Sequence, residues 1–98
     1  MTQPDQKGIP LCFEAAEERD LIRRMGEERD QAAFLKVYDR YSRVVYNLAH
    51  KILRDDSEAD EVLQDVFWQF WKSIPQIDLE KGNLFSWLVV LARNRSID

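Results

Sequence analysis

The chain of 98 residues is 45% hydrophobic and 33% charged, with a net charge of -4 at neutral pH. These values are typical of one small folded domain and exclude both a collagen-like repeat and general disorder. One cysteine (Cys12) and one histidine (His50) exclude a disulfide scaffold and a zinc finger. Because no apolar stretch is long enough to span a bilayer and no secretion signal opens the chain, we expect a cytoplasmic protein without a metal or other cofactor.

The scarcity of turn residues predicts an all-α fold, a small bundle of about four helices behind a short leader. Only three glycines and three prolines are present, which favours long helices over a many-stranded sheet. Residues 1–13 lack periodicity and are predicted to form a flexible leader, followed by one domain over residues 14–98. The first helix is expected to run from Glu14 to Met25, with Gly26 as the residue that ends it.

The second helix is predicted to run from an N-cap at Asp30 to Leu53. Apolar side chains recur on one face at three- and four-residue steps, which is the pattern of an amphipathic helix. This face holds Ala33, Phe34, Val37, Tyr41, Val44, Val45, Leu48 and Ile52. The opposite face is basic and holds Lys36, Arg40, Arg43, Lys51 and Arg54. A basic face suits phosphate contacts, but it is also typical of a solvated helix surface.

The third helix is predicted to begin at a cap on Asp56 or Ser57 and to end at Ser73. Its core stripe comprises Ala59, Val62, Leu63, Val66, Phe70 and Ile74. The other side is mostly acidic, and Trp68 lies there, almost opposite the core stripe. Because an exposed aromatic side chain ringed by charges is typical of a protein interface, we expect a basic partner surface. The alternative is that Trp68 packs under the leader or the first helix.

The fourth helix is predicted to follow a loop over residues 74–82, with Asn83 as its N-cap and Asp98 still helical. Free backbone N–H groups at such a helix start can hold a phosphate or a base edge, with Lys81 and Gly82 beside them. The core side of this helix is assigned Leu84, Leu88 and Leu91. Trp87, Val90 and Asn94 form a separate ridge, with Ser86 and Arg93 nearby, and this group is suited to stacking on an unpaired base and hydrogen-bonding it. The alternative is that the aromatic side chains here belong to the core.

Three stretches of the sequence stand out together, namely DQAAFLKVYDRYSRVVYNLAHKILRD, EADEVLQDVFWQFWKSI and GNLFSWLVVLARNRSID. In order and spacing they resemble region 2 of the extracytoplasmic-function (ECF) sigma factors. These are the small alternative promoter-recognition subunits of bacterial RNA polymerase. The resemblance covers roughly residues 17–98 and implies a helical domain that binds its partners without catalysing a reaction.

The resemblance implies that the third helix docks on the coiled coil of the polymerase β′ subunit. The positions that match the family's motif are Asp60, Glu61, Gln64, Asp65, Phe67 and Trp71. Trp68 joins them because of its predicted exposure. Acidic and amide groups would then meet basic side chains of the coiled coil, while the aromatic groups bury apolar area.

The resemblance also implies that the loop and the fourth helix bind the minus-ten element of promoter DNA. The loop would capture a base that is flipped out of the non-template strand. On the fourth helix and its start, the expected contacts are Gly82, Asn83, Ser86, Trp87, Val90, Arg93, Asn94 and Arg95. In the loop, the residues expected to select the base are Ile77, Asp78 and Lys81. On the second helix, the expected contacts to the DNA backbone are Arg40, Arg43 and Lys51.

Two departures from the wider sigma family limit what the resemblance implies. Val90 and Leu91 stand where housekeeping sigma factors have a tryptophan pair that wedges the duplex open, so strand separation is not assigned to such a wedge. A linker and a second helical domain, which would contact the minus-thirty-five element, are absent from this chain. We therefore expect the chain alone to bind duplex promoter DNA weakly.

The alternative function is a helical protein-interaction module on the same scaffold that does not bind promoters. Its partner would be an anti-sigma factor, which could hold the protein at the membrane without any insertion of this chain. The neutral balance of charge over residues 74–98 slightly favours this alternative. We expect no small-molecule substrate and no enzyme activity, because the sequence contains no recognisable catalytic constellation.

Overall fold

The computed structural model describes residues 13–74 and 83–97, and this part of the chain forms four α-helices. They are α1 (Ala15–Glu28), α2 (Gln31–Leu53), α3 (Asp56–Ser73) and α4 (Leu84–Ile97). Over these two ranges the structure contains no β-strand. The predicted all-α bundle of about four helices is therefore confirmed. Most of the predicted leader, and the 74–82 loop apart from its first residue, lie outside the described residues.

α2 lies at the centre of the bundle and packs against each of the other three helices. It begins at Asp30 as predicted, since the Asp30 carboxylate accepts hydrogen bonds from the N–H groups of Ala32 and Ala33 at 3.0 and 3.2 Å. The buried side chains follow four-residue steps and are Ala33, Val37, Tyr41, Val45 and Ala49. The next step falls on the partly buried Leu53. The prediction that Ile52 belongs to the core is therefore wrong, because this side chain lies about 100° away round the helix and is 38% exposed.

α1 is longer than the sequence predicts. It continues through Gly26 to Glu28 and ends at Arg29, which adopts the left-handed backbone conformation with φ 51° and ψ 46°. The prediction that Gly26 ends the helix is therefore wrong. A Cβ atom at position 26 would lie 3.4 Å from Cγ2 of Ile74, which is an ordinary van der Waals contact, so this part of α1 faces the residue that follows α3.

α3 begins earlier than predicted, by one residue relative to a cap on Asp56 and by two residues relative to a cap on Ser57. Its N-cap is Asp55 rather than Asp56 or Ser57, and the Asp55 carboxylate accepts a hydrogen bond from the Glu58 N–H group at 2.9 Å. The helix ends at Ser73 as predicted. Its predicted core stripe is confirmed and also includes Phe67, so the buried side chains are Ala59, Val62, Leu63, Val66, Phe67, Phe70 and Ile74.

α4 follows the predicted cap, because the Asn83 side-chain oxygen accepts a hydrogen bond from the Ser86 N–H group at 2.8 Å. The helix buries a stripe at four-residue steps, namely Leu84, Leu88, Ala92 and Ser96. Leu91, which the sequence assigns to the core, is only partly buried because Ala92 occupies the stripe instead. Phe13, the last residue of the predicted leader, is buried in the same core.

Candidate functional site

The acidic face of α3 consists of Asp60, Glu61, Gln64 and Asp65, and all four side chains are exposed. One turn of helix separates Asp60 from Gln64, and Nε2 of Gln64 donates a hydrogen bond to Oδ2 of Asp60 at 3.1 Å. The structure therefore brings the predicted polar residues of this site together on one solvated surface. Three carboxylates on such a surface favour a basic partner.

Trp68 extends the acidic face with a large apolar side chain. It is 61% exposed, and Nζ of Lys72 lies 5.5 Å from the centre of its ring. The alternative that Trp68 packs under the first helix is therefore wrong, and any contact with residues 1–12 falls outside the described residues. An exposed tryptophan beside charged groups has the composition of an interface hot spot.

Phe67 and Trp71 are less accessible than Trp68. Phe67 is only 3% exposed, and its ring centre lies 4.9 Å from that of Tyr38. Trp71 is partly buried, with its ring edge-on to Phe34 at 5.1 Å. Phe67 is therefore mainly a packing residue beneath the surface, whereas part of Trp71 remains available to a partner.

Arg29 covers one face of the Trp71 ring. Its guanidinium carbon lies 3.8 Å from the ring centre, and Nη1 donates a hydrogen bond to the Trp71 carbonyl oxygen at 3.3 Å. A cation placed over an aromatic face in this way is attracted by the ring's quadrupole. Arg29, at the end of α1, therefore orients Trp71 by contacting both the ring and the backbone carbonyl group of that residue.

An open groove runs between α2 and α3 along the edge of the acidic face. We call it the α2–α3 groove, and its lining comprises Gln31, Phe34, Leu35, Tyr38, Gln64, Phe67, Trp68 and Trp71. Leu35 on one wall is 56% exposed and Trp68 on the other is 61% exposed. An apolar groove with an acidic rim fits an amphipathic basic helix.

Leu35 and the rest of the α2 wall are absent from the sequence-based prediction of this site. The signal was present, because Leu35 lies off the core stripe of α2 as Trp68 lies off the stripe of α3. What the sequence does not give is which side of α2 faces α3. Only the packing of the two helices shows that Leu35 and Trp68 line one groove.

The second candidate surface is the N-terminal end of α4, which we call the α4 start and define as residues 83–87. Asn83 and Ser86 are exposed there. Trp87 is only partly buried, and its ring centre lies 5.8 Å from that of the core residue Phe70. Trp87 therefore combines both sequence-based interpretations, since it packs on the core and keeps part of its surface open.

The remaining predicted DNA contacts lie further along α4. Val90 is 58% exposed, and Arg93 and Asn94 are also exposed. Arg95 is exposed too, and its Nη2 donates a hydrogen bond to Oε1 of Gln69 on α3 at 3.4 Å. Val90, Arg93 and Asn94 share the solvent-facing side of the helix, which would let a strand of nucleic acid contact them together. Arg95 instead lies beside the buried stripe and reaches towards α3.

The predicted contacts on α2 differ from one another in their surroundings. Arg43 is exposed, whereas Arg40 is partly buried with its guanidinium carbon 4.2 Å from the ring centre of Phe13. The loop residues Ile77, Asp78, Lys81 and Gly82 lie outside the described residues. Arg40 therefore packs against Phe13, whereas the side chain of Arg43 faces solvent.

A third polar cluster joins the end of α2 to the start of α3. Nε2 of His50 lies 2.8 Å from Oδ1 of Asp56, and the Tyr46 hydroxyl donates to the same carboxylate oxygen at 3.4 Å. Partial desolvation, followed by the charge of Asp56, raises the pKa of Tyr46 above its ordinary value. Here His50 has a carboxylate partner and helps to hold the α2–α3 corner.

Within 13–74 and 83–97, no group of three or more histidine, cysteine or acidic side chains is placed to hold a metal ion. None of the described helices combines the length and the apolar character needed to cross a membrane.

The fold and its two surfaces define a small helical binding domain with an acid-rimmed apolar groove and a separate capped helix start. The family model for sigma-70 region 2 matches residues 37–98. The chain therefore belongs to the sigma-70 region 2 family. No solved structure matches the chain.

Individual relatives agree with this assignment. The chain is 37% identical over 98 residues to the ECF RNA polymerase sigma factor SigK of Mycobacterium sp. (strain KMS), covering all of this chain and 48% of that protein. It is 35% identical over 78 residues to the protein of the same name from Mycobacterium tuberculosis (strain ATCC 25618 / H37Rv), covering 80% of this chain and 41% of that protein. The resemblance to region 2 of an ECF sigma factor is thus confirmed, and the chain spans about half the length of these relatives.

Proposed function

We propose that this domain is the promoter-recognition domain of an alternative sigma factor of the ECF type. It binds core RNA polymerase through the acidic face and the α2–α3 groove. It binds the minus-ten element through the 74–82 segment and α4. The domain works in the bacterial cytoplasm by binding alone, and no step of bond making or breaking is assigned to it.

The polymerase contact is supported by one observation above the others, the exposure of Leu35 and Trp68 on opposite walls of an acid-rimmed groove. Exposure of two large apolar side chains to water is unfavourable, so binding of a partner that covers them lowers the free energy. The β′ coiled coil would lay an apolar stripe between them and its basic side chains against Asp60, Glu61 and Asp65. Long-range attraction to the three carboxylates would speed the encounter at low salt.

The promoter contact is supported by the composition and exposure of α4. Asn94 and Arg93 offer hydrogen-bond donors and the exposed part of Trp87 offers a stacking surface. Unpairing and unstacking a base costs a few kcal/mol, and stacking on an aromatic ring returns about 1–3 kcal/mol per base. Capture of the flipped base by Ile77, Asp78 and Lys81, with phosphate contacts from Arg40 and Arg43, would supply the rest. Because residues 74–98 carry no net charge, polymerase must hold the DNA close by.

The polymerase contact is tested by titrating the isolated β′ coiled coil into the domain and measuring heat. Trp68→Ala and Leu35→Ala are each expected to weaken binding, Trp68→Ala by about 2 kcal/mol because it removes a central aromatic side chain. Ile52→Ala is the matched control, since Ile52 is another exposed apolar residue of α2 that does not line the groove. Equal binding by all three variants would contradict the proposed surface.

The promoter contact is tested with a pool of single-stranded DNA oligonucleotides that contain six randomised bases. The domain bound to core polymerase is expected to select a common sequence from this pool, and Asn94→Ala is expected to abolish or change that selection. A domain that binds the coiled coil but selects no sequence would instead be a protein-interaction module, whose partner on these surfaces would be an anti-sigma factor. The selection therefore separates the two functions.

A further inference from the structure

Glu18 of α1 is a buried carboxylate that reaches across the bundle to the α4 start. Its side chain is 4% exposed, and Oε2 accepts a hydrogen bond from the Leu84 N–H group at 2.9 Å. The two residues are 66 positions apart in the chain. Glu18 thus provides a direct polar contact between α1 and the helix that carries the predicted DNA contacts.

The chemistry of this contact explains why a carboxylate is tolerated inside the bundle. Burying an acidic side chain is strongly unfavourable unless it is paired or hydrogen-bonded. The first N–H groups of a helix lack partners within that helix and lie at the positive end of its dipole. Glu18 satisfies one of these groups, and the charge on the acceptor strengthens the hydrogen bond.

The α4 start is fixed by further contacts around Glu18. The side chain of Asn83 accepts from the Ser86 N–H group at 2.8 Å, so one turn of helix has two separate acceptors. The ring centre of Tyr41 on α2 lies 5.6 Å from that of Phe13 and 5.7 Å from that of Phe85. The Phe13 N–H group donates to the Tyr41 hydroxyl at 3.1 Å. The beginning of α1 and the beginning of α4 are therefore anchored on the same residue of α2.

We propose that Glu18 is a positioning residue for DNA recognition. By accepting the Leu84 N–H group it sets where α4 begins, and it thereby sets where Asn83, Ser86 and Trp87 point. This inference rests on the proposed promoter contact, but it places a determinant of that contact on α1, a helix to which no DNA contact is assigned. The polymerase surface on α2 and α3 does not depend on it.

The test compares three variants of the chain. Glu18→Met keeps the approximate volume of the side chain and removes the acceptor, whereas Glu18→Gln keeps a neutral acceptor. Glu17→Gln is the control, because Glu17 is the exposed neighbour on α1 and pairs with Lys36 at 3.2 Å instead. Each variant is titrated with the β′ coiled coil and, bound to core polymerase, with the oligonucleotide that the wild type selects from the random pool. Amide hydrogen exchange at Leu84 is followed by NMR.

Glu18→Met is expected to bind the oligonucleotide at least about tenfold more weakly and to exchange the Leu84 amide faster, because that N–H group has lost its partner. Its affinity for the coiled coil should stay within about twofold of wild type. Glu18→Gln should restore most of the oligonucleotide affinity, and Glu17→Gln should match wild type in every measurement. Rescue by glutamine separates a positioning hydrogen bond from a general loss of stability.

Three results would overturn the proposal. They are unchanged DNA binding by Glu18→Met, an equal loss of DNA and coiled-coil binding, and a failure of Glu18→Gln to restore what Glu18→Met loses. If the wild type selects no oligonucleotide, the promoter function itself fails. In that case the amide exchange rate of Leu84 still decides whether Glu18 positions α4. If Glu18→Met exchanged this amide at the wild-type rate, the positioning role of Glu18 would be refuted.

Discussion

The acidic face of α3 and the α4 start are built in different ways. The acidic face consists of exposed side chains from one helix. Two of these side chains, Gln64 and Asp60, form a hydrogen bond with each other within that helix. The α4 start is instead held by buried contacts from α1 and α2, through Glu18 and Tyr41. One surface is thus local in the sequence, and the other is assembled from distant residues.

This difference predicts how each surface responds to substitution. Changes on the acidic face should alter binding with little effect on folding, because its side chains make few internal contacts. Changes near the α4 start should act at a distance, because the position of that helix depends on residues of other helices. Substitutions beneath both surfaces, beside one of them, or away from both therefore measure how independent the two surfaces are.

The largest effect is expected for Phe70→Ala, because Phe70 lies beneath both surfaces. It is fully buried, with ring centres of Phe34, Phe67 and Trp87 at 6.0, 6.2 and 5.8 Å. Removing a buried phenylalanine ring costs about 3–5 kcal/mol of unfolding free energy. The variant should lose affinity for coiled coil and DNA together, as measured by urea denaturation and by both titrations. A stable variant that lost only one affinity would show that the core does not connect the surfaces.

A smaller effect, confined to one surface, is expected at Arg29. Both Arg29 and Arg54 adopt left-handed backbone, with φ of 51° and 55°, a conformation that glycine adopts more easily. Arg54→Gly should therefore be neutral or stabilising by up to about 1 kcal/mol. Arg29→Gly should be less favourable by about 1 kcal/mol, because it also removes the cation over Trp71.

The pair of arginine variants also separates stability from binding. Only Arg29→Gly releases the Trp71 ring, so only this variant should change affinity for the coiled coil. Thermal unfolding and calorimetric titration of both variants provide the measurement. Identical behaviour of the two would mean that Arg29 does not orient Trp71.

The smallest effect is expected from protonation of Asp30, which belongs to neither surface. Hydrogen bonding from the Ala33 N–H group, followed by the Arg24 guanidinium, lowers the pKa of Asp30 in the folded state. The stabilisation from its charge is therefore fully present above the unfolded pKa of about 4 and is lost as pH falls through the lower folded pKa. Asp30→Asn keeps a capping oxygen without this titration.

Urea denaturation of wild type and Asp30→Asn between neutral pH and about pH 3 measures this effect. Wild type should be the more stable protein at neutral pH, and its advantage should shrink on acidification below about pH 4. Affinity for the coiled coil should not differ between the two at neutral pH. A stability difference that is independent of pH would contradict the assigned cause of the pKa shift.

Local signals in the sequence predicted most helix boundaries well. The side chains of Asp30 and Asn83 cap the helices that follow them, as their types and positions indicated. The prediction for the end of α1 was wrong because the left-handed residue that ends this helix is Arg29, three positions after Gly26. Because glycine is the residue that usually adopts this conformation, an arginine there gives no local signal in the sequence.

The site was predicted as far as it depends on single helices. The acidic residues of α3 and the exposure of Trp68 follow from helical periodicity alone. Leu35 and Glu18 were missed because their importance comes from what lies opposite them, Trp68 across the groove and Leu84 across the bundle. A leucine or a glutamate on an amphipathic helix is ordinary until its tertiary contact is known.

The most direct test of the account is binding of core RNA polymerase, or its isolated β′ coiled coil, to wild type and to a triple variant. The variant combines Asp60→Ala, Gln64→Ala and Trp71→Ala, which change the acidic face and the groove while leaving α4 intact. We predict micromolar or tighter binding by wild type, about −8 kcal/mol or more favourable, and no measurable binding by the folded variant. Absence of binding by folded wild type, or equal binding by both proteins, would contradict the account.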